Sequence, residues 1–278
     1  MLSSQAVHVF IGTPRQNVGN AALAILGSAA TALLVVRAER DRQSKGNTAL
    51  WTLLAASVIT CLADAGARML IGLQADPGAN SLVMYRAFGI EMAVWMAFAF
   101  PPYVGIIGYS TYLVFREKRH RRSLWLILVV SALADTGGEY VMMHGGHLYS
   151  YVGRQPLKVV GLPLVWPWVI VAAPMLMGAL VALFDTSLRG ARRLLLLPLL
   201  GSGYLACLAA VGWPGMVARA TALGQTALDV TGLVTLGGLL ATVYVMSLPL
   251  PAHTAAPHPA QKPAAGGASP DPAGPGRG

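Results

Sequence analysis

Asp135 and Glu139 stand four residues apart in an otherwise apolar stretch, residues 124–143. On a helix that spacing puts both carboxyl groups on one face, one turn from each other. Two carboxyl groups so close in a medium of low dielectric cannot both ionise cheaply, and the pair then offers an acid beside its conjugate base. Such a pair can give a proton to a substrate oxygen or alkene and take one from elsewhere on the same molecule. The same spacing recurs at Asp64 and Arg68, which sets a carboxylate beside a guanidinium. Glu91 and Asp229 bring to five the acidic residues that fall within apolar runs, out of eleven in the chain. A charged side chain at mid-bilayer costs about 2.5–3.5 kcal/mol on insertion scales, so each of the five requires a partner or a task. A purely structural task is the plain alternative, with Asp64, Arg68 and Glu139 forming a polar network that holds helices together.

The segment after Glu139 is rich in glycine and in hydrogen-bonding aromatics. Tyr140, His144, His147, Tyr149 and Tyr151 follow it, and Trp166 and Trp168 come soon after. With Trp95 and Tyr103 these rings are candidates to line a pocket whose faces would stabilise a developing cation. An interfacial aromatic belt is the competing explanation for any one of them. His144 and His147 have no clear third ligand, and no metal site is assigned. Phosphate-binding, dinucleotide-binding, metalloprotease and nucleophile-elbow motifs are absent, so no cofactor is expected.

Positioning these groups falls to helices in a bilayer. Hydrophobic residues make up 55% of the 278 and charged residues only 11%, which excludes a typical soluble enzyme, a disordered chain and a disulfide scaffold. Apolar runs at 18–36, 49–73, 88–115, 124–143, 162–184, 194–213 and 226–246 predict an all-α, polytopic membrane bundle of about seven transmembrane helices. Pro101 and Pro102 in the third run, and Pro167 and Pro174 in the fifth, predict kinks there. Residues 1–17 read as an outer segment without the pattern of a cleaved leader, 18–249 as the membrane domain and 250–278 as a disordered, Pro/Ala/Gly-rich tail. His253 and His258 in that tail read as incidental. Cys61 and Cys207 both lie in apolar runs and suggest no disulfide.

The loops after runs one, three and five hold Arg37, Arg40, Arg42 and Lys45, then Arg116, Lys118, Arg119, Arg121 and Arg122, then Arg189, Arg192 and Arg193. With Lys262 and Arg277, fourteen of the twenty lysines and arginines fall on one side. The expectation is a multi-pass plasma-membrane protein with its N-terminus outside and its C-terminus in the cytoplasm. The net charge of +9 is accounted for by these flanks, which suit anionic lipid headgroups and not nucleic acid. The oligomeric state is not readable.

Residues 62–66, Leu-Ala-Asp-Ala-Gly, return at 133–137 as Leu-Ala-Asp-Thr-Gly. Each copy follows a basic loop and a tryptophan, Trp51 or Trp125, and each precedes a helix with a proline in mid-span, Pro102 or Pro174. Spans two and three would then repeat as spans four and five, a parallel duplication about an axis along the membrane normal that sets Asp64 and Asp135 at equal depth.

From Asp135 to Pro174, the Asp-x3-Glu pair, the Tyr-x-Tyr of Tyr149 and Tyr151 and the downstream proline-bearing helix resemble the second half of the AveC-like spirocyclase family. Those are actinobacterial membrane proteins associated with dehydration and spiroketal formation on polyketides. The duplicated layout is similar too. This chain carries His147 close before the aromatic pair, where a glycine is expected, and Arg68 in place of a second carboxylate in the first copy. A more distant similarity is to carotenoid hydratases and membrane terpene cyclases. The resemblance implies cofactor-independent, non-redox cyclisation or dehydration of a lipophilic polyketide or isoprenoid; the acids of the apolar runs, Asp135, Glu139, Asp64, Glu91 and Asp229, are the catalytic candidates for it. Arg68, Tyr140, His144, His147, Tyr149, Tyr151, Trp95, Trp166 and Trp168 would line the substrate. The rival expectation is a non-catalytic transporter, proton-coupled carrier or ligand sensor, whose carboxyl groups would bind cations or relay protons.

Overall fold

Where the apolar runs are long, the chain is helical, and the helices turn large apolar side chains such as Leu26, Leu33, Leu126, Leu133 and Leu233 outward while Asp64, Arg68 and Glu139 are buried inside the bundle. The computed structural model describes residues 12–76, 78–79, 82–185, 187–188 and 190–251. Among them are seven helices long and apolar enough to cross a membrane. They are α1 (Pro14–Lys45), α2 (Ala49–Ile71), α3 (Val94–Arg116), α4 (Arg121–Tyr140), α5 (Val165–Phe184), α6 (Leu196–Ala220) and α7 (Gln225–Ser247). The chain is a multi-pass, all-α bundle. Residues 1–11, Arg189 and the tail from 252, with His253, His258, Lys262 and Arg277, lie outside the described residues.

Helix α1 starts on a capping box: the Thr13 hydroxyl accepts from the Gln16 amide, and the Gln16 side chain accepts from the Thr13 amide. It therefore begins before the apolar run itself, and it extends past that run to Lys45. Helix α5 is central and packs on α3, α4, α6 and α7. It meets α3 at Gly108 and Gly178, where a Cβ on Gly178 would lie 2.0 Å from the Gly108 carbonyl oxygen. Only two glycines let these backbones approach so closely. Pro101, Pro102, Pro174 and Pro214 sit inside helices. Pro167 was expected to kink span five, but it occupies the first turn of α5, where no backbone donor is needed.

The loops at the arginine-rich end are held by two aspartates. Asp41 accepts from Arg37 (2.9 Å) and from the Tyr109 hydroxyl (2.6 Å). Asp185 accepts from Arg116, Arg193 and Tyr112.

Six short strands occupy the opposite end, which hydropathy alone had assigned to helices and loops. They are β1 (Leu73–Ala75), β2 (Val83–Ala87), β3 (Ile90–Ala93), β4 (Tyr149–Tyr151), β5 (Lys158–Val159) and β6 (Leu162–Pro163), paired antiparallel as β1 with β4, β2 with β3 and β5 with β6. Phe88 (φ 53°) and Gly89 (φ 75°) turn β2 into β3, and Val160 (φ 47°) and Gly161 (φ 83°) turn β5 into β6. Two central residues with positive φ form the tight turn that matches strand twist, so spans three and five begin later than their apolar runs. Glu91 is consequently not in a span. It lies in β3 directly opposite Arg86 and pairs with it at 2.5 Å.

Gln74 faces Ser150 at the centre of the β1–β4 pair, so the segments that follow residues 62–66 and 133–137 meet in one two-stranded sheet.

Candidate active site

Leu124, Leu128, Ala132 and Glu139 are the buried residues of α4, and Asp135 lies on the same stripe. That stripe turns both carboxyl groups of α4 inward. On α2 the inward stripe runs Ser57, Thr60, Asp64, Arg68 and Ile71. The Ser57 and Thr60 hydroxyls return to the carbonyl oxygens of Leu54 and Ala56, so they need nothing further.

The two stripes meet at a cavity of about 190 Å³ near the strand-bearing end. Asp64, Arg68, Asp135 and Glu139 share its wall with Trp95, Phe100, Tyr103, Tyr149 and Tyr204, and Leu23, Met96, Met142 and Ile170 supply apolar surface. Three carboxyl groups and one guanidinium thus converge from two helices on a largely aromatic chamber.

Their hydrogen bonding differs sharply. Asp64 accepts from Arg68 Nε at 2.7 Å through Oδ2 and from the Tyr204 hydroxyl at 3.1 Å through Oδ1. The Arg68 guanidinium also sits over the Tyr149 ring, 5.5 Å from its centroid. This half of the site is a satisfied, charge-balanced unit. Glu139 receives the Tyr151 hydroxyl at 2.9 and 2.8 Å from its two oxygens. Burial, and then the nearby Glu139 carboxyl, push the Tyr151 phenol well above its ordinary range, so it stays a donor. Asp135 Oδ2 is buried with no hydrogen-bond partner, and the same is true of the Tyr103 hydroxyl and of Trp95 Nε1. Buried polar atoms are nearly always partnered, so unpartnered atoms on a cavity wall mark where a ligand's polar group belongs.

Tyr149 and Tyr151 reach their places through β4, whose pairing with β1 lays the strand beneath the end of α2. Gln155 locks the following loop: its amide nitrogen donates to the Ile71 and Val152 carbonyls, and its oxygen accepts from Trp166 Nε1 at 2.9 Å.

Several expected site residues lie elsewhere. Glu91 belongs to the β2–β3 hairpin. Asp229, at the start of α7, accepts from the Leu157 amide (2.8 Å) and the Gln225 side chain (2.9 Å), which fastens the β5 loop to α7. Trp168 lines a separate depression with Asp229. Trp166 is wholly buried and is spent on Gln155. Tyr140, 48% exposed, stacks on the exposed His144 on the outside of the bundle, and His147 is exposed and offers its carbonyl to Gln16. At about 100° per residue Tyr140 stands about 100° from Glu139 and about 140° from Asp135, so the helical period itself turns it off the inward face; His144 follows in the π-helical segment, Val141–Gly145, and His147 in the loop beyond it. Among the described residues no three His, Cys, Asp or Glu side chains are grouped to hold a metal ion.

Tyr204 was not anticipated. Its only trace in the sequence is a phenol on the same stripe of α6 as Leu200, Cys207, Leu208 and Val211.

A second, strongly apolar depression of about 510 Å³ runs along the outer face between α1 and the π-helical segment. Val18, Gly19, Ala22 and Leu26 line one side, and Val141, Gly145 and Leu148 the other. Leu23 and Met142 belong both to this groove and to the carboxyl cavity.

No protein-family model, curated protein or solved structure matches the chain.

Proposed function

We propose that the chain is a membrane enzyme that performs cofactor-independent acid–base chemistry, cyclisation or dehydration, on a lipophilic polyketide or isoprenoid. The observation that carries this reading is the contrast between Asp135 and Glu139. One turn apart, they face the same chamber, yet Glu139 is held by Tyr151 while Asp135 leaves an oxygen without a partner. Asp135 is then the group that meets substrate, and Glu139 with Tyr151 is its proton-sharing partner.

For a dihydroxy-ketone substrate, the acid of the pair protonates the carbonyl oxygen, and one internal hydroxyl attacks the carbonyl carbon. The partner carboxylate takes the proton that the attacking hydroxyl releases, which gives a hemiketal. The acid then protonates the hemiketal hydroxyl, which leaves as water, the second internal hydroxyl bonds to the same carbon and gives its proton to the carboxylate, and the product is the spiroketal plus one water. For an alkene, protonation of one carbon is followed by capture at the other, and the captured group returns its proton. The faces of Tyr103, Tyr149 and Tyr204 and the carboxyl groups around them suit the cationic character of either transition state. The balanced Asp64–Arg68 pair keeps Arg68 from neutralising the working acid.

The arginine-rich end would face the cytoplasm of a plasma-membrane protein, which sets the cavity toward the outer leaflet. Substrate dissolved in that leaflet would have its way in between α1 and the π-helical segment.

The test is the Glu139→Gln variant together with deletion of the gene in its native host. Gln keeps the size and accepts from Tyr151 but cannot give up a proton as an acid. The deletion strain is expected to accumulate an uncyclised or undehydrated lipophilic precursor, and complementation by the wild-type gene but not by Glu139→Gln is expected to remove it. Full complementation by the variant overturns the mechanism.

A further inference from the structure

The carboxyl cavity is too small for the whole of a typical lipophile. An apolar cavity of about 150 Å³ accommodates a single benzene, and this one measures about 190 Å³. It therefore encloses little more than one ring's worth of a ligand. The groove beside it offers about 510 Å³, is almost entirely apolar, and shares two lining side chains with the cavity, Leu23 and Met142. Both are flexible chains, and Met142 stands in the π-helical segment, where the backbone ladder of α4 is already interrupted. At the far end of the path, Asp135 Oδ2 and the Tyr103 hydroxyl are buried without partners.

We propose that cavity and groove form one continuous binding site for a linear, neutral, single-chain lipophile, with its oxygen-bearing end between Asp135 and Tyr103 and its hydrocarbon tail leaving past Leu23 and Met142 into the groove. This rests on the acid–base reading above and adds to it the polarity, shape and direction of the substrate. A hydroxyl suits the head position because it can donate to a carboxyl oxygen and accept from a phenol at once, and a carbonyl suits it by accepting from the phenol and from the protonated acid. A carboxylate head would meet Asp135 and Glu139 as like charges. An ammonium head would pair with Asp135 and remove the acid that the reaction needs.

The experiment uses the full chain in lipid nanodiscs and three probes: farnesol, farnesoic acid, and a farnesol derivative with a diazirine at its hydrocarbon end. Farnesol is expected to raise the unfolding temperature more than the acid does. On irradiation the diazirine is expected to mark peptides spanning 14–26 and 141–148. Tyr103→Phe removes one hydrogen bond and is expected to weaken labelling about fivefold, and Leu23→Trp, which fills the passage, is expected to abolish labelling in the groove. Labels spread over the lipid faces of α6 and α7, equal or greater stabilisation by the acid, or no effect of any probe overturns the proposal. Because these readouts are binding and not turnover, they separate the two ideas. Groove labelling with a fully active Glu139→Gln variant removes the acid–base reading alone, and an inactive variant with scattered labels removes only the binding pose.

Discussion

Among the three carboxyl groups of the cavity, Asp135 differs from Asp64 and Glu139 by having a buried oxygen that the protein leaves unused. Asn at this position keeps the volume and loses the acid, so Asp135→Asn is expected to lower turnover by about 10² to 10⁴, the usual worth of a positioned acid or base. Asp229→Asn should leave turnover nearly unchanged, since that carboxylate is occupied with Leu157 and Gln225. Product formation measured side by side in membranes checks both. Asp64 and Arg68 predict a different outcome. Both are buried, and each is the other's main compensation. Removing one partner, as in Arg68→Leu, leaves an uncompensated buried carboxylate and is expected to cost about 3–5 kcal/mol of stability. Replacing both together with leucine is expected to cost less than the single change, which thermal unfolding of the purified variants will show.

At the scale of elements, helix positions were readable from hydropathy and helix ends were not. The seven apolar runs each became a helix, because a bilayer-length stretch without charges has few other ways to satisfy its backbone. The third and fifth runs lost their first residues to hairpins. Phe88, which opens the third run, and Val160, just before the fifth, each precede a glycine, and each pair makes a turn with both φ values positive. Phe88→Asn is therefore expected to be neutral or slightly stabilising, since asparagine enters that left-handed region more readily than phenylalanine. Gly89→Val is expected to destabilise, with the melting temperature as the measurement. That single turn also decided the place of Glu91. The π-helical segment, Val141–Gly145, is an equally local feature that hydropathy does not mark.

For the molecule as a whole, two features hold the parts of the bundle together: the β1–β4 pair at the strand-bearing end and the Gly108–Gly178 contact within the spans of α3 and α5. Gly178→Leu has no room beside the Gly108 carbonyl. It must part α3 from α5 and is expected to destabilise by at least the 1–3 kcal/mol typical of overpacking, with a lower unfolding temperature and reduced activity because α3 carries Trp95 and Tyr103. Orientation makes a separate prediction. A cysteine placed at Leu82 in intact cells is expected to react with a membrane-impermeant maleimide, and one at Lys118 is not; the native Cys61 and Cys207 are buried and should stay silent. The reverse pattern would turn the cavity toward the cytoplasm.

Composition and the spacing of charges were enough to specify a seven-helix membrane bundle, to place Asp135 and Glu139 on one helix face, and to pair Asp64 with Arg68, because these follow from hydropathy and the 3.6-residue period alone. Which of the intramembrane acids share a site was not local information. Asp64, Asp135 and Glu139 came together, and Asp229 went to a loop clamp, through the packing of α2 against α6, α4 against α5 and α7 against the β5 loop. Tyr204 entered the site for the same reason. Its role depends on the 3.1 Å approach of a helix 140 residues away in the chain, and such a distance exists only once the tertiary structure has formed.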